Sequence, residues 1–259
     1  MRRYLVPIFE EAETTVTSPT TEQWQQWRDD GVVPLQGALA GAPLTDLQTA
    51  FAAAAAQARP DWLEAVTAGT RPGAFFDIPD PLARHEMFLD LVDHPAWYGH
   101  LQAFTEGRVT FIQPQFRTVP PSPLSYVGWH YDIPRSNPLH LKVQIYLDDV
   151  NRDEGAFAYV PGSHHPDSGP YPLVSDLETM PGHRVYEGGA GTALVFNSHG
   201  MHTSMVIRSP RPRRSIILIY EVGTEATFEP KAFAAYADRC TTEERRQLFR
   251  LDPRPEPPL

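Results

Sequence analysis

Five runs between residues 109 and 222 decide what this chain can fold into: VTFIQPQFRTV, LKVQIYLDDV, AFAYVPG, TALVFNS and RRSIILIYEV. Each is rich in β-branched or aromatic residues and has the length of a strand. Turn signals separate them, at Asp153-Glu154-Gly155, Pro161-Gly162 and Gly188-Gly189. The residues before them read differently. Thr20 or Thr21 caps a helix through EQWQQWRDD that Gly31 stops, and VVPLQGAL follows as a short strand. Residues 44–58 are dominated by strong helix formers, and 82–106 carry two helical segments split near Pro95. Residues 230–249 return to helix. Several strands after a helical start predict a mainly β protein, a sandwich or jelly roll with helices packed outside it. We read residues 1–259 as one domain, with a helical part over about 20–107, a β core over about 108–223 and a C-terminal helix over about 230–249.

Charge and composition narrow the partners. The net charge of -10 opposes binding to nucleic acid or an anionic membrane. No apolar run approaches the roughly 20 residues that cross a bilayer. The opening MRRYLVPIFEEAE is too short in apolar residues and too acidic for a signal peptide, and the lone Cys240 fits a reducing cytoplasm. Pro120, Pro121 and Pro123, the stretch from Pro161 to Pro172 and the tail DPRPEPPL mark loops or extended ends. The segment 166–186 is long for a loop in a jelly roll and is expected to act as a lid.

The chemistry-bearing residues fall in three places. In VGWHYDIP, read as a strand, His130 and Asp132 project to one face. Alone, such a triplet carries little weight. About 70 residues on, TALVFNSHGMHTS ends a strand with His199 and His202, either of which can supply a third ligand. Two imidazoles and one carboxylate leave coordination positions open, as in non-haem Fe(II) oxygenases. RPRRSIILIY then opens a strand with Arg211, Arg213 and Arg214. A planar guanidinium grips a carboxylate with two hydrogen bonds, although a solvated sheet edge accounts for any one of these arginines.

Taken in order, WHYD, LKVQIYLDDVNRDEGAFAYVPGSH, TALVFNSHGMHTS and RRSIILIY resemble the phytanoyl-CoA dioxygenase family over about residues 109–222. The opening TTEQWQQWRDDGVVPLQGAL resembles the family's first helix and strand. The resemblance implies a double-stranded β-helix, a cupin-like jelly roll, with Fe(II) at its mouth, 2-oxoglutarate as cosubstrate and O2 as oxidant. It implies His130, Asp132 and His202 as metal ligands, His202 lying six residues after Phe196, and leaves His199 near the substrate. It points to Arg213, eleven residues after His202, as the cosubstrate anchor, with Arg214 as the alternative if the register slips by one. Gln144, Gln115 and Arg117, with Gln113 beside them, are further cosubstrate contacts on this reading. PGSH is a family turn with a structural His164, and Asp148 and Asp149 are expected to be solvated.

Asp132 stands where halogenating relatives carry a small residue, so hydroxylation, desaturation or oxidative cyclisation is expected rather than halogenation. Trp129, Tyr131, Arg135 and His140 are candidate substrate contacts. Their aromatic and polar mixture suits a hydroxylated or sugar-like small molecule, in the manner of natural-product and antibiotic tailoring, and no basic cluster serves the phosphates of coenzyme A. A cupin-like isomerase or hydrolase is the rival reading, and a module that binds metal or sugar without turnover is a third.

Overall fold

The computed structural model describes residues 16–122 and 124–254. The expectations for the first residues, for Pro123 and for the tail beyond Arg254 lie outside the described residues. Helix α1 (Thr21–Asp30) begins at a capping box: the Thr20 hydroxyl accepts from the Gln23 N–H at 3.2 Å, and the Gln23 side chain accepts from the Thr20 N–H at 2.9 Å. Gly31 ends it in the left-handed region (φ 81°), which glycine adopts without steric cost. Strand β1 (Val32–Leu35) follows. Helix α2 (Gly41–Thr67) overruns the predicted 44–58 at both ends and passes through Pro60. Proline there forfeits a helical hydrogen bond. Trp62, packed 5.4 Å from Phe76 of β2 (Phe76–Asp77), keeps the last turns seated. Helices α3 (Glu86–Asp90) and α4 (Pro95–Phe104) split at Pro95 as predicted.

His94 caps α4: its Nδ1 accepts the Ala96 N–H at 3.3 Å, which only a neutral ring allows. Burial pulls its pKa from 6.5 to about 4, against the raising effect of Asp90. The unfolded chain therefore takes up a proton near pH 6.5 that the folded ring refuses, and stability falls as the pH drops from 6.5 towards 4. Asparagine at this position keeps a capping oxygen and cannot titrate. We expect His94→Asn to flatten the pH dependence of urea unfolding by up to about 1.4 kcal/mol per pH unit in that window.

The β core comprises β3 (Val109–Val119), β4 (His140–Tyr146), β5 (Phe157–Tyr159), β6 (Arg184–Tyr186), β7 (Ala193–Asn197), β8 (His202–Ser204) and β9 (Arg213–Val222). Antiparallel pairing gives a six-stranded sheet, β1-β7-β4-β9-β3-β2, and a three-stranded sheet, β6-β5-β8. This is the predicted jelly roll with helices outside it. Alternation assigns the faces. Leu141, Val143 and Ile145 of β4 and Ile216, Leu218 and Tyr220 of β9 join one apolar core with Phe51, Phe88 and Trp97 from the helices. Lys142 and Gln144, and Ser215 and Ile217, take the opposite face. A bulge between Phe111 and Gln113 resets the parity of β3, so Phe116 packs in the core while Gln115 and Arg117 turn inward.

Four expectations need correction. VGWHYDIP is not a strand: His130 makes an isolated bridge to His202, and the chain turns straight after it. The segment 166–186 is not all loop, since it holds a 3-10 turn at Leu177–Thr179 and ends in β6. Residues 230–249 form a 3-10 segment (Ala234–Arg239) and a separate helix α5 (Glu243–Leu248), because Thr242 starts a new helix by accepting from the Arg245 N–H at 3.1 Å. Asp148 and Asp149 are not simply solvated: Asp148 takes a two-pronged ion pair from Arg214, and Asp149 accepts the Ala190 N–H at 2.8 Å. Among the described residues no helix is long and apolar enough to cross a membrane.

Candidate metal centre

His130 and His202 are directly opposite one another, each donating its N–H to the other's carbonyl at 3.0 Å. Side chains of such a pair share a face, and the two rings lie 4.4 Å apart. Asp132 is drawn in by its own N–H, which donates to Ser198 O at 3.3 Å. Close packing holds the His202 side. Gly200 lies against the Tyr159 hydroxyl, which donates to Asn197 O at 2.9 Å, and a Cβ at Gly200 would fall 1.8 Å from that oxygen. The His202 ring is buried among Phe157, Tyr159 and Phe196.

One ligand atom each from His130, Asp132 and His202 lies within 4.8 Å of the others. Their donor state fits a divalent cation. Nδ1 of His130 sits 2.8 Å from Gly128 O, and Nδ1 of His202 sits 2.9 Å from Gly200 O. A carbonyl only accepts, so both Nδ1 atoms carry the proton and both Nε2 atoms present a lone pair. His202 Nε2 is 3.2 Å from Asp132 Oδ2, a buried oxygen with no hydrogen-bond partner. The other carboxylate oxygen, Oδ1, receives the Lys142 ammonium at 2.7 Å and lies 3.8 Å from His130 Nε2. Burial would raise the Asp132 carboxyl, but the His202 ring, when it carries a second proton in the metal-free protein, and the Lys142 ammonium outweigh it and hold the carboxyl well below its usual range. Burial, followed by the nearby His202 ring, lowers His130. Ionised carboxylate and neutral imidazole are the forms that bind metal.

Behind the three ligands lies a cavity of about 130 Å³, lined also by Gln115, Arg117, Tyr126, Lys142, Gln144 and Ser204. In front, Tyr131 to Arg135 line a wider recess of about 490 Å³, and Asp132 borders both. The predicted cosubstrate residues differ in what they have free. Arg117 already forks onto Asp77 at 2.7 and 2.6 Å and stacks 4.1 Å over Phe75. Arg214 faces outward to Asp148. Arg213 is 2% exposed, gives one N–H to Gly155 O, and keeps Nε and Nη2 buried without partners. It does not itself line the inner cavity. Its neighbour Tyr126 does: burial raises that phenol, and the charges of Arg213 and Arg117 bring it below its ordinary value. Gln144 is buried with its Nε2 unpartnered, whereas Gln113 is exposed.

The predicted substrate residues divide. Trp129 donates to Leu177 O at 3.1 Å, and Arg135 engages Ser163 O, Pro166 O and Ser168 Oγ, so both fasten the 166–186 segment. Tyr131 is exposed, with the Arg135 guanidinium 5.4 Å from its ring. His140 is half-buried, its Nδ1 buried without a partner. His199 is buried outside the three-residue cluster, near Arg135 and the Pro138 carbonyl. His164 reaches Arg28 O at 3.1 Å and ties the PGSH turn to α1. Sequence reasoning missed Lys142, Tyr126 and Ser204. The signal for Lys142 was available: in LKVQIYL the apolar residues alternate with Lys142 and Gln144, which puts an ammonium on the inward face of a central strand.

Comparisons with known proteins agree with this layout. Part of the chain is 32% identical, over 96 residues, to a probable alpha-ketoglutarate-dependent hypophosphite dioxygenase of Stutzerimonas stutzeri, a match covering 36% of this chain and 30% of that protein. The fold resembles the non-heme alpha ketoglutarate dependent carbocyclase SnoK from nogalamycin biosynthesis, with a TM-score of 0.62 and 18% identity, covering 80% of this chain and 85% of the other. It also resembles HygX from Streptomyces hygroscopicus, solved with nickel, 2-oxoglutarate and hygromycin B, with a TM-score of 0.59 and 16% identity, covering 78% and 87%. These two likenesses concern the fold. The model of the phytanoyl-CoA dioxygenase family matches residues 27–215, from α1 through the whole ligand cluster into β9. The chain belongs to the phytanoyl-CoA dioxygenase family.

Proposed function

We propose that this protein is an Fe(II)- and 2-oxoglutarate-dependent oxygenase that hydroxylates or oxidatively cyclises a small, hydroxylated or sugar-bearing molecule. The observation that carries this reading is the convergence of one ligand atom each from His130, Asp132 and His202 within 4.8 Å, with both imidazole Nδ1 atoms engaged by backbone carbonyls. Ferrous iron chelated by 2-oxoglutarate supplies O2 activation and oxidation of an unactivated C–H bond. The protein's own residues do the rest. His130, Asp132 and His202 would hold the ion, and the cavity they line would take the cosubstrate's chain. Arg213, which does not line that cavity, would reach the far carboxylate past Tyr126, which does. Asp132 divides this inner space from the recess at Tyr131–Arg135, where the substrate enters, so the two molecules approach the metal from different sides. The segment that Trp129 and Arg135 fasten starts beside the recess through Arg135, and would limit water there if it folds over a bound substrate.

A hydrolase or isomerase on the same scaffold has no use for a buried guanidinium with two unengaged donors. The absence of a chloride-sized gap at Asp132 supports oxygenation over halogenation, so chloride should leave the product unchlorinated. The lone cysteine supports a reducing, cytoplasmic setting. The test is release of succinate and CO2 from 2-oxoglutarate, stimulated by members of a panel of aminocyclitols, glycosides and acyl-CoA thioesters. Stimulation by a glycoside or polyol is expected. Stimulation by the thioesters alone contradicts the substrate class, and 2-oxoglutarate consumption with no panel or family-type substrate contradicts the substrate reading while leaving the cofactor assignment to the metal experiments below.

A further inference from the structure

Lys142 is the one ammonium among the residues lining the inner cavity, and its position is unusual for a metal site. It stands on the inward face of β4, 9% exposed, with its Nζ 2.7 Å from Asp132 Oδ1 and 6.0 Å from the Phe196 ring centroid. A cation beside a site for a second cation opposes metal binding by simple repulsion. The carboxylate geometry gives it a purpose. The two oxygens of Asp132 have different surroundings: Oδ2 is buried, has no hydrogen-bond partner and faces His202 Nε2, while Oδ1 is held by the ammonium.

We propose that Lys142 is a positioning residue that occupies one oxygen of Asp132 and so restricts the carboxylate to offering the metal a single oxygen. A carboxylate free at both oxygens can chelate, and a chelating Asp132 would fill one of the three positions that three single-atom ligands leave open. A bidentate cosubstrate would then take the last two, and none would remain for O2. Lys142 thus gives up some metal affinity for a coordination sphere that keeps a place for O2, and its charge favours the anionic cosubstrate in the cavity it lines. Gln144, two residues along the same face, does not share the task, because its Nε2 has no hydrogen-bond partner and so does not reach Asp132. The inference rests on the ligand set proposed above.

The test uses the full-length apo-protein, oxygen-free buffer and cobalt(II), followed by 2-oxoglutarate titrated into the cobalt-loaded form, both by calorimetry. Without cosubstrate, Lys142→Met is expected to bind cobalt(II) about tenfold more tightly, on the scale of outer-shell effects, since it loses a repelling charge and frees Oδ1. The same variant is expected to bind 2-oxoglutarate about tenfold more weakly, and Lys142→Arg to restore both constants to within about threefold. Lys142→Ala serves as the neutral, donor-free variant if methionine at this position prevents folding, which circular dichroism reports. A role in packing alone would weaken both affinities together and lower the melting temperature. Unchanged or weaker cobalt(II) binding in the neutral variant overturns the proposal. If the wild type takes up no cobalt(II), or Asp132→Asn binds it as well as wild type, the ligand set itself is wrong, and that result is distinct from failure of the Lys142 role.

Discussion

Replacing Asp132 by alanine should abolish oxidation of every substrate and lower affinity for ferrous iron by more than about 100-fold, since loss of an outer-shell partner alone costs 10–100-fold. The expectation follows from where the carboxylate stands. Its Oδ2 is buried without a partner beside His202 Nε2, and the Lys142 ammonium on Oδ1 is among the groups that hold the carboxyl well below its usual range against the effect of burial. Alanine also strips the nearly buried Lys142 of its counter-charge, at a cost of about 3–5 kcal/mol for breaking such a pair. Some loss of stability is therefore expected together with loss of metal. Asp132→Asn separates the two. The amide keeps the shape and an acceptor for Lys142, so it should melt much closer to the wild type, yet it lacks the anionic oxygen and should fail to retain iron. Metal content after desalting, measured beside the thermal melt, checks both halves. An alanine variant that retains iron and turnover would remove Asp132 from the ligand set.

The second large effect is at the arginine pair opening β9. Arg213→Ala should raise the 2-oxoglutarate dissociation constant by roughly 100-fold, equivalent to about 3 kcal/mol for hydrogen bonds to a charged group lost from a buried site, while leaving cobalt(II) binding near the wild-type value. Arg213→Lys, which keeps the charge without the fork, should fall between the two. Arg214→Ala should leave cosubstrate binding unchanged and cost under about 1 kcal/mol of stability, because its pairing with Asp148 is part-exposed at the sheet surface. The adjacent residues differ through strand parity. Arg213 shares a face with Ser215 and Ile217, whereas Arg214 turns to the opposite side. Cosubstrate binding that responds to Arg214 and ignores Arg213 would mean the anchor is on the other face. Arg117 is a weaker candidate despite lining the cavity, since both sides of its fork already hold Asp77.

Much of this arrangement was legible before any coordinates. The five strand-like runs and the helical N-terminal third set the architecture, because β-branched stretches bounded by Gly and Pro have few other readings. The ordered motifs singled out His130, Asp132 and His202, which the structure brings together, and Arg213, which is buried on the face of β9 that carries Ser215 and Ile217 but lies outside that cluster. Local pattern was less informative where tertiary contacts decide. The bridge between His130 and His202 depends on residues 72 positions apart, so WHYD read as a strand although only one residue of it pairs. The short strands β2, β6 and β8 have two or three residues each: β2 pairs with the long β3, while β6 and β8 flank the equally short β5, so pairing between distant segments and not local pattern fixes them. The helix expected over 44–58 continues through Pro60 to Thr67, where Trp62 packs on Phe76, a contact that local propensity does not register. Trp129 and Arg135 read as substrate contacts from their position beside the ligands. Their polar groups instead tie down the 166–186 segment, which sequence spacing does not reveal.

The most direct measurement is anomalous scattering at the iron edge from crystals grown without oxygen in the presence of ferrous iron and 2-oxoglutarate. The account predicts one strong peak within bonding distance of His130 Nε2, His202 Nε2 and a single oxygen of Asp132, with the cosubstrate's far carboxylate on Arg213. A peak held by other side chains, or none at this position in crystals that contain bound iron, would contradict it.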